Sequence, residues 1–284
     1  MMKNTSVILD SMKLRVKRLK HLMGEGWHLR PAGGATGEAY VAEQGEQKIF
    51  IKRNSSPFLA VLSAEGIVPK LLWTKRLESG DVITAQRWVN GRELKSFDMN
   101  SSRIGRLLGK IHRSKELLDM FKRLGNEPLT PDRLLEDLVD KANHLGVNES
   151  VVEDAFVWLR NHIQDIHVDD YVVCHSDVNH NNWIVSEDGS LYLIDWDGAN
   201  VADPALDLSA LLYLYVPRNE WEAWLDSYGC SLTPELIKRM NWYMVAQSIE
   251  SVLYHREKRQ LVELNKWNTI LTDVLTKVNV RISE

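Results

Sequence analysis

Between Trp27 and Trp88 the chain alternates short runs of strand-forming residues with glycine-bearing turns, and beyond Asn90-Gly91 its apolar positions fall at helical spacing instead. That change of period predicts an α+β fold with an antiparallel β-rich N-terminal lobe and a mainly helical C-terminal lobe. Trp27 to Arg30, Ala39 to Ala42 and Lys48 to Lys52 read as three successive antiparallel strands. Leu71 to Lys75 and Val82 to Trp88 add two more across the Glu78 to Asp81 turn. Past the linker, Ile104, Leu107, Leu108 and Ile111 form one apolar stripe, and Leu134, Leu135 and Leu138 another. The expected division is 1–89 for the first lobe and 90–284 for the second. The first lobe carries an additional helix over residues 7 to 23, where Leu9, Met12, Val16, Leu19 and Met23 alternate with Lys13, Arg15, Lys17, Arg18 and Lys20. A basic amphipathic helix of this kind either packs on its own domain or meets an acidic partner or membrane surface.

With 284 residues there is enough chain for two lobes, each with a core. Lys and Arg total 35 against 39 Asp and Glu, so the formal charge of −4 gives no overall attraction to nucleic acid or to an anionic membrane. Two distant cysteines, Cys174 and Cys230, have neither disulfide-framework nor zinc spacing. No apolar run approaches a membrane span. These features lead to the expectation of a cytoplasmic protein with no nucleic-acid partner and no integral membrane association.

The helical half contains one island of strand character. Tyr171 to Cys174 leads into a polar loop, His175 to Asn182, and then Trp183 to Val185 and Leu191 to Ile194 flank a Glu187-Asp188-Gly189 turn. Asp177, Asn182 and Asp195 are thereby expected at one end of the hairpin. Two carboxylates and an amide are hard oxygen ligands of the sort that suit Mg²⁺ beside nucleotide phosphates. Phosphoryl transfer needs such a set, together with an acid that orients the attacking hydroxyl and accepts its proton. Upstream, the Gly33-Gly34-x-x-Gly37 turn has backbone amides able to close over a nucleotide, and Lys52 ends the third strand within reach of phosphate oxygens. Each feature is weak alone; their order along the chain carries the reading. His175, Asp177 and His180 as transition-metal ligands are the alternative.

In this order the motifs resemble the aminoglycoside phosphotransferase and choline kinase family, which has a two-lobed protein-kinase-like fold. The resemblance covers about residues 27 to 215. His175-x-Asp177-x4-Asn182 is similar to that family's catalytic loop, Ile194-Asp195-Trp196 to its metal motif, and Asp203-Pro204-x-x-Asp207-Leu208 to the segment after it. The resemblance implies ATP and Mg²⁺ as cofactors and the hydroxyl of a small molecule (a pentose, nucleoside, amino alcohol or similar) as acceptor. Asp177 is implied as the catalytic base, and Asn182 and Asp195 as metal ligands. Gly33, Gly34, Gly37, Lys52, Glu65, Gln86 and Trp88 are implied at the nucleotide. His175 and Asp207 are implied as structural supports, Asp207 tying down the catalytic loop. Read from the residues alone, His175 is also a candidate base and Asp207 a candidate N-cap for an apolar helix from Leu208 to Tyr215. Asp197 is either a supporting acid or an additional Mg²⁺ ligand.

Within the family, residues 49–57, 71–76 and 177–183 are most similar to firmicute cell-cycle regulators, which implies cell-division or replication-initiation proteins as partners and a place at the division septum. A kinase-like regulatory or scaffold module is the alternative function. The chain departs from the family pattern where Ser176 replaces glycine and Asn179-His180-Asn181 replaces His-Pro-Gly. The segment Phe58 to Gly66 is short for the helix that supplies the lysine's glutamate partner, and Glu65 is its only acid. Ten tryptophans raise the question of a cation cage, against core packing. On the helix from Trp242 to Tyr254, Tyr243, Gln247, Glu250 and Tyr254 form a second face, a candidate acceptor wall.

Overall fold

The computed structural model describes residues 23–33 and 38–280. The basic helix expected over 7 to 23 lies outside the described residues except for Met23, and so do Gly34 and Gly37. The chain divides into two compact units. One comprises the residues up to Gly91 with Ser186–Tyr192, the other Arg92–Val185 with Leu193–Glu284.

In the first unit, alternation of apolar and polar residues produces β1 (His28–Gly33), β2 (Ala39–Gln44), β3 (Gln47–Arg53), β4 (Leu71–Arg76) and β5 (Val82–Arg87). They form one antiparallel sheet in the order β1-β2-β3-β5-β4. The consecutive hairpins were predicted, but β5 slots between β3 and β4. Period-2 alternation turns Tyr40, Ala42, Ile49, Ile51, Ile83 and Ala85 into a buried cluster, against which Met23, Trp27, Leu29, Trp73 and Leu77 pack. Each fully buried aliphatic side chain there contributes about 1.5–3 kcal/mol. The same alternation sends Lys52 to the face of β3 opposite Ile49 and Ile51, and the register sets Lys52 across from Thr84 and Phe50 across from Gln86. A seven-residue helix, α1 (Phe58–Ala64), buries Phe58 and Leu62 and ends in Glu65, with Gly66 at φ 70°.

From Gly91 the chain runs through β6 (Gly91–Glu93) and then, in the second unit, α2 (Ser102–His112), α3 (Lys115–Arg123), α4 (Pro131–Leu145) and α5 (Ser150–His162). It continues with β7 (Val172–Cys174), β8 (Trp183–Ser186), β9 (Leu191–Leu193), β10 (Asn200–Ala202), α6 (Ala205–Tyr215), α7 (Trp221–Tyr228), α8 (Pro234–Glu257) and α9 (Leu261–Val280). Caps legible in the sequence set several starts: Ser101 accepts from Arg103 N, Thr130 from Arg133 N ahead of Pro131, and Thr233 from Leu236 N ahead of Pro234. The long helix α8 is the centre of the second unit. It buries Met240, Trp242, Met244, Val245, Ile249, Val252 and Leu253, and α4, α5, α6 and α9 pack around it. Among the described residues no helix is long and apolar enough to cross a membrane.

Candidate active site

Strand β7 does not pair with the hairpin that follows it. It pairs antiparallel with β10, so Cys174 lies opposite Asn200, and the loop from His175 is launched out of a buried two-stranded ribbon. The chain then bends sharply at Ser176, whose φ of 66° lies in the left-handed region that favours glycine. This is the physical reason for glycine at the position in the family the loop resembles. A bend of that kind turns backbone N–H groups away from any strand partner, and they need acceptors. Asp207 supplies them: one carboxylate oxygen accepts from His175 N at 2.7 Å and the other from Ser176 N at 2.8 Å. The residue is fully buried. Burial alone would push its carboxyl up, but the hydrogen bond and charge of His112 and the His175 N–H outweigh it and hold the group below the ordinary carboxylate value.

The N-cap reading of Asp207 is corrected by the same geometry. Helix α6 begins at Ala205, whose N–H donates to Asp203 Oδ1 at 2.8 Å, so Asp207 lies inside its first turn with its side chain committed to the loop.

His175 is fully enclosed. Its Nδ1 accepts from Asp177 N at 3.3 Å, so the ring proton is on Nε2, which donates to Ile194 O at 2.8 Å; Trp196 packs edge-on at 4.7 Å. Both ring nitrogens are thus committed. That removes His175 as a base and overturns the transition-metal alternative of His175, Asp177 and His180.

Asp177 is exposed at the head of the loop. Asn179 Nδ2 donates to its Oδ1 at 2.5 Å, and Asn182 Nδ2 donates to its Oδ2 at 3.0 Å and to its backbone carbonyl at 2.8 Å. With the Asn182 amide nitrogen turned toward Asp177, its Oδ1 is the atom left to meet a cation. Asn182 O in turn accepts from Ile194 N at 2.8 Å. Together with the His175 to Ile194 bond, this ties the loop to the segment carrying Asp195, which is exposed with φ 64°. The structure therefore brings His175, Asp177, Asn182 and Asp207 together and joins Asp195 to them by backbone. An amide oxygen and an exposed carboxylate are hard donors that fit Mg²⁺. Asp197 is exposed two residues on.

In the first unit, Gly33 ends β1 beside a register shift, and Lys52 and Glu65 are half-buried on β3 and at the end of α1. Gln86 is buried and donates its carboxamide to Pro69 O at 2.9 Å, so its side chain braces the sheet from within. Trp88 is half-buried with the Lys48 ammonium 4.0 Å from its ring centroid.

The sequence reading missed the supports behind Asp207. His112 Nε2 lies 3.1 Å from Asp207 Oδ2, and its Nδ1 is 2.8 Å from the Tyr228 hydroxyl. Asp203, fully buried, is bound by Arg239 at 2.8 Å, though burial still pushes its carboxyl up. One signal was present: His112 lies four and eight residues after Leu108 and Ile104, on the buried face of α2, where a polar group requires a partner. The acceptor-wall expectation is corrected in part. Tyr243 is buried, and Gln247 donates to Leu206 O and Ser209 Oγ inside the α6–α8 packing. Only Glu250 and Tyr254 of that set remain exposed. Trp158, Trp183, Trp221, Trp224 and Trp242 are likewise core residues.

Several solved structures share this fold. The choline kinase LicA from Streptococcus pneumoniae superposes with a TM-score of 0.66 at 19% identity, over 93% of this chain and 99% of that one. A choline/ethanolamine kinase family protein from Mesorhizobium loti gives 0.66 at 15% identity over 94% of each chain. The spectinomycin phosphotransferase APH(9)-Ia, solved with ADP and spectinomycin, gives 0.60 at 17% identity over 87% and 92%. These likenesses establish an α+β protein-kinase-like fold. The model of one family, the phosphotransferase enzyme family, matches residues 29–241, three quarters of the sequence and all of the loop network described above, and the chain belongs to that family.

Proposed function

We propose that the protein is an ATP-dependent kinase that moves the γ-phosphate to a hydroxyl of a small molecule. The observation that carries this reading is the state of Asp177: an exposed carboxylate aimed by two amides, on a loop whose backbone is pinned by a buried acid. That arrangement suits a group that must meet one incoming hydroxyl in a fixed orientation. The acceptor oxygen bonds to the γ-phosphorus as its proton passes to Asp177, and the bond to the β-phosphate oxygen breaks to release ADP. Asn182 Oδ1 and Asp195 hold Mg²⁺, which supplies charge neutralisation at the phosphates. Lys52, with Glu65, is assigned to the phosphates and Gly33, Gly34, Gly37 and Trp88 to the nucleotide on the strength of the family resemblance. Structural neighbours solved with AMP or ADP support nucleotide as the ligand class.

Titration calorimetry of MgATP with a coupled turnover assay tests these roles. Asp177→Asn is expected to keep MgATP affinity within a fewfold while turnover falls on the order of 10²–10⁴. Asp195→Asn is expected to lose both. Parental turnover by Asp177→Asn refutes the assignment.

The similarity of residues 49–57, 71–76 and 177–183 to the firmicute regulator CcrZ/YtmP supports a second reading, in which the kinase also serves cell-cycle control through division or replication-initiation proteins. Retention of septal localisation by Asp177→Asn in cells separates that scaffold role from catalysis; a diffuse signal for the parent protein removes it.

A further inference from the structure

The apolar stripe at the start of the chain has no part in the His175 loop, and the sheet of the first unit has a face that requires a cover. Tyr40 and Ala42 of β2, Ile49 and Ile51 of β3, and Ile83 and Ala85 of β5 lie on that face, none of them more than 8% exposed. Neighbours on one sheet face stand side by side, so burial this deep takes a second layer. Helix α1 is not that layer. It is entered from Ser55, whose hydroxyl is 2.9 Å from Thr84 Oγ1, and is followed by Pro69, whose carbonyl accepts from Gln86. Thr84 and Gln86 alternate with Ile83 and Ala85, so both contacts are made on the opposite face, that of Lys52. Among the described residues, the partly buried apolar side chains packed on the cluster are Met23, Trp27, Leu29, Trp73 and Leu77. All but Met23 belong to or adjoin β1 and β4, the edge strands. Met23 is helical, and Gly24 and Gly26, at φ 89° and 90°, turn the chain from it into β1. Gln44 of β2 donates to Glu25 O at 3.1 Å and ties that turn to the sheet.

We propose that residues 7–22 are the second layer: an amphipathic helix that runs back from Met23 over the buried face of β2, β3 and β5. Leu9, Met12, Val16, Leu19 and Met23 recur at intervals of three and four, so on a helix they make one stripe, and its last member already packs on the cluster. From Leu9 to Met23 such a helix is about 21 Å long. That exceeds the roughly 10 Å across three adjacent strands. Lys17 and Arg18 fall on the far side of the helix and Lys13, Arg15 and Lys20 along its flanks, so the charges stay in water while the stripe is covered. Leu14 falls with the basic residues, apolar but off the stripe. Docked in this way, the stripe is withdrawn from any membrane surface, and only the basic side is presented outward. The inference stands apart from the kinase reading above.

The test is amide hydrogen exchange on the full chain, followed in peptides from β2, β3 and β5, with α8 as the internal reference. The variants are Val16→Ala, Leu19→Ala, Leu19→Asp, Leu14→Ala and a fourfold change of Lys13, Arg15, Lys17 and Arg18 to Gln. Val16→Ala and Leu19→Ala are expected to speed exchange in the three strands about 10–100-fold, the loss that follows from cutting back a buried aliphatic side chain, with α8 unchanged. Leu19→Asp should exceed Leu19→Ala, and where it fails to fold the two alanine variants carry the test. Leu14→Ala and the fourfold Gln variant should stay within about threefold of the parent, as substitutions at exposed positions do. Parental exchange in both Val16→Ala and Leu19→Ala, or an equal acceleration by Leu14→Ala, overturns the inference. Sedimentation with vesicles of phosphatidylcholine and phosphatidylserine tests the other use of the stripe. Vesicle binding by the parent that Leu19→Ala abolishes while exchange in the strands stays parental also overturns it.

Discussion

In the first unit the charged groups pair near the surface, Arg53 with Asp81 at 2.6 Å and Arg30 with Glu43 at 3.4 Å, around a sheet whose interior cluster is entirely aliphatic and aromatic. In the second, Asp203 and Asp207 are fully buried and hold, between them, the start of α6 and the backbone of the loop that begins at His175. The difference follows from what each unit must fix. A sheet satisfies its own backbone through its ladder, so its ion pairs are additions to a structure that period-2 burial already specifies. A loop that leaves a strand through a left-handed residue has no ladder, and a buried carboxylate is the acceptor its N–H groups require. The cost of burying that charge is offset by the donors that converge on it.

The largest expected effect breaks the loop's anchor. Asp207→Ala leaves His175 N, Ser176 N and His112 without their acceptor, and removing one member of a buried charged network costs on the order of 3–5 kcal/mol. Urea denaturation should register that loss, and turnover should fall with it because Asp177 loses its fixed backbone. A variant as stable as the parent would show that the loop is held by other contacts. The pH dependence carries the same sign. The native Asp207 carboxyl sits below its unfolded value, so its contribution is complete above the ordinary carboxylate range and is lost as pH falls through the lower native value.

A smaller effect, in the opposite direction, is expected at the bend itself. Ser176→Gly removes the steric cost of a left-handed non-glycine residue, roughly 1–2 kcal/mol, and loses part of that to the freer unfolded chain. A net gain of about 0.5–1 kcal/mol should appear as a higher denaturation midpoint with turnover unchanged. A drop in turnover would mean that the Ser176 hydroxyl, 3.4 Å from the Asn200 amide, also matters to the loop.

The smallest effect belongs to the first unit. Hydrogen bonds from Ser79 and Arg53 hold the Asp81 carboxyl at about 2. Its stabilisation is present above the ordinary 3.8 and is lost between there and about 2. Asp81→Asn should therefore flatten the acid limb of the stability profile in that window and change the midpoint at pH 7 far less than Asp207→Ala does. An equal change would erase the contrast between the units.

Much of the fold was legible because burial imposes periods. The alternation in Lys48 to Lys52 marks β3 and its inward Ile49 and Ile51, and capping residues Thr130 and Thr233 ahead of proline mark the starts of α4 and α8. The Asp177-x4-Asn182 spacing likewise places an amide back against the carboxylate it follows by five residues, a local closure that a short loop makes by itself. Gln247 and Tyr243 were misread as an open face because α8 is buried nearly all round, and a helix covered on several sides has no single stripe to betray which positions are free.

The sequence by itself determined the local periods, the caps and the order of the acidic and amide residues, since each depends on neighbours within a turn or a strand. Only the tertiary structure decided that β5 lies between β3 and β4, that β7 pairs with β10, that His112 reaches Asp207 across 95 residues and that Tyr215 holds His180 across 35. A period reports that a face is covered but not by what. A buried polar group requires a partner, and the residue that provides it is chosen by how distant segments pack.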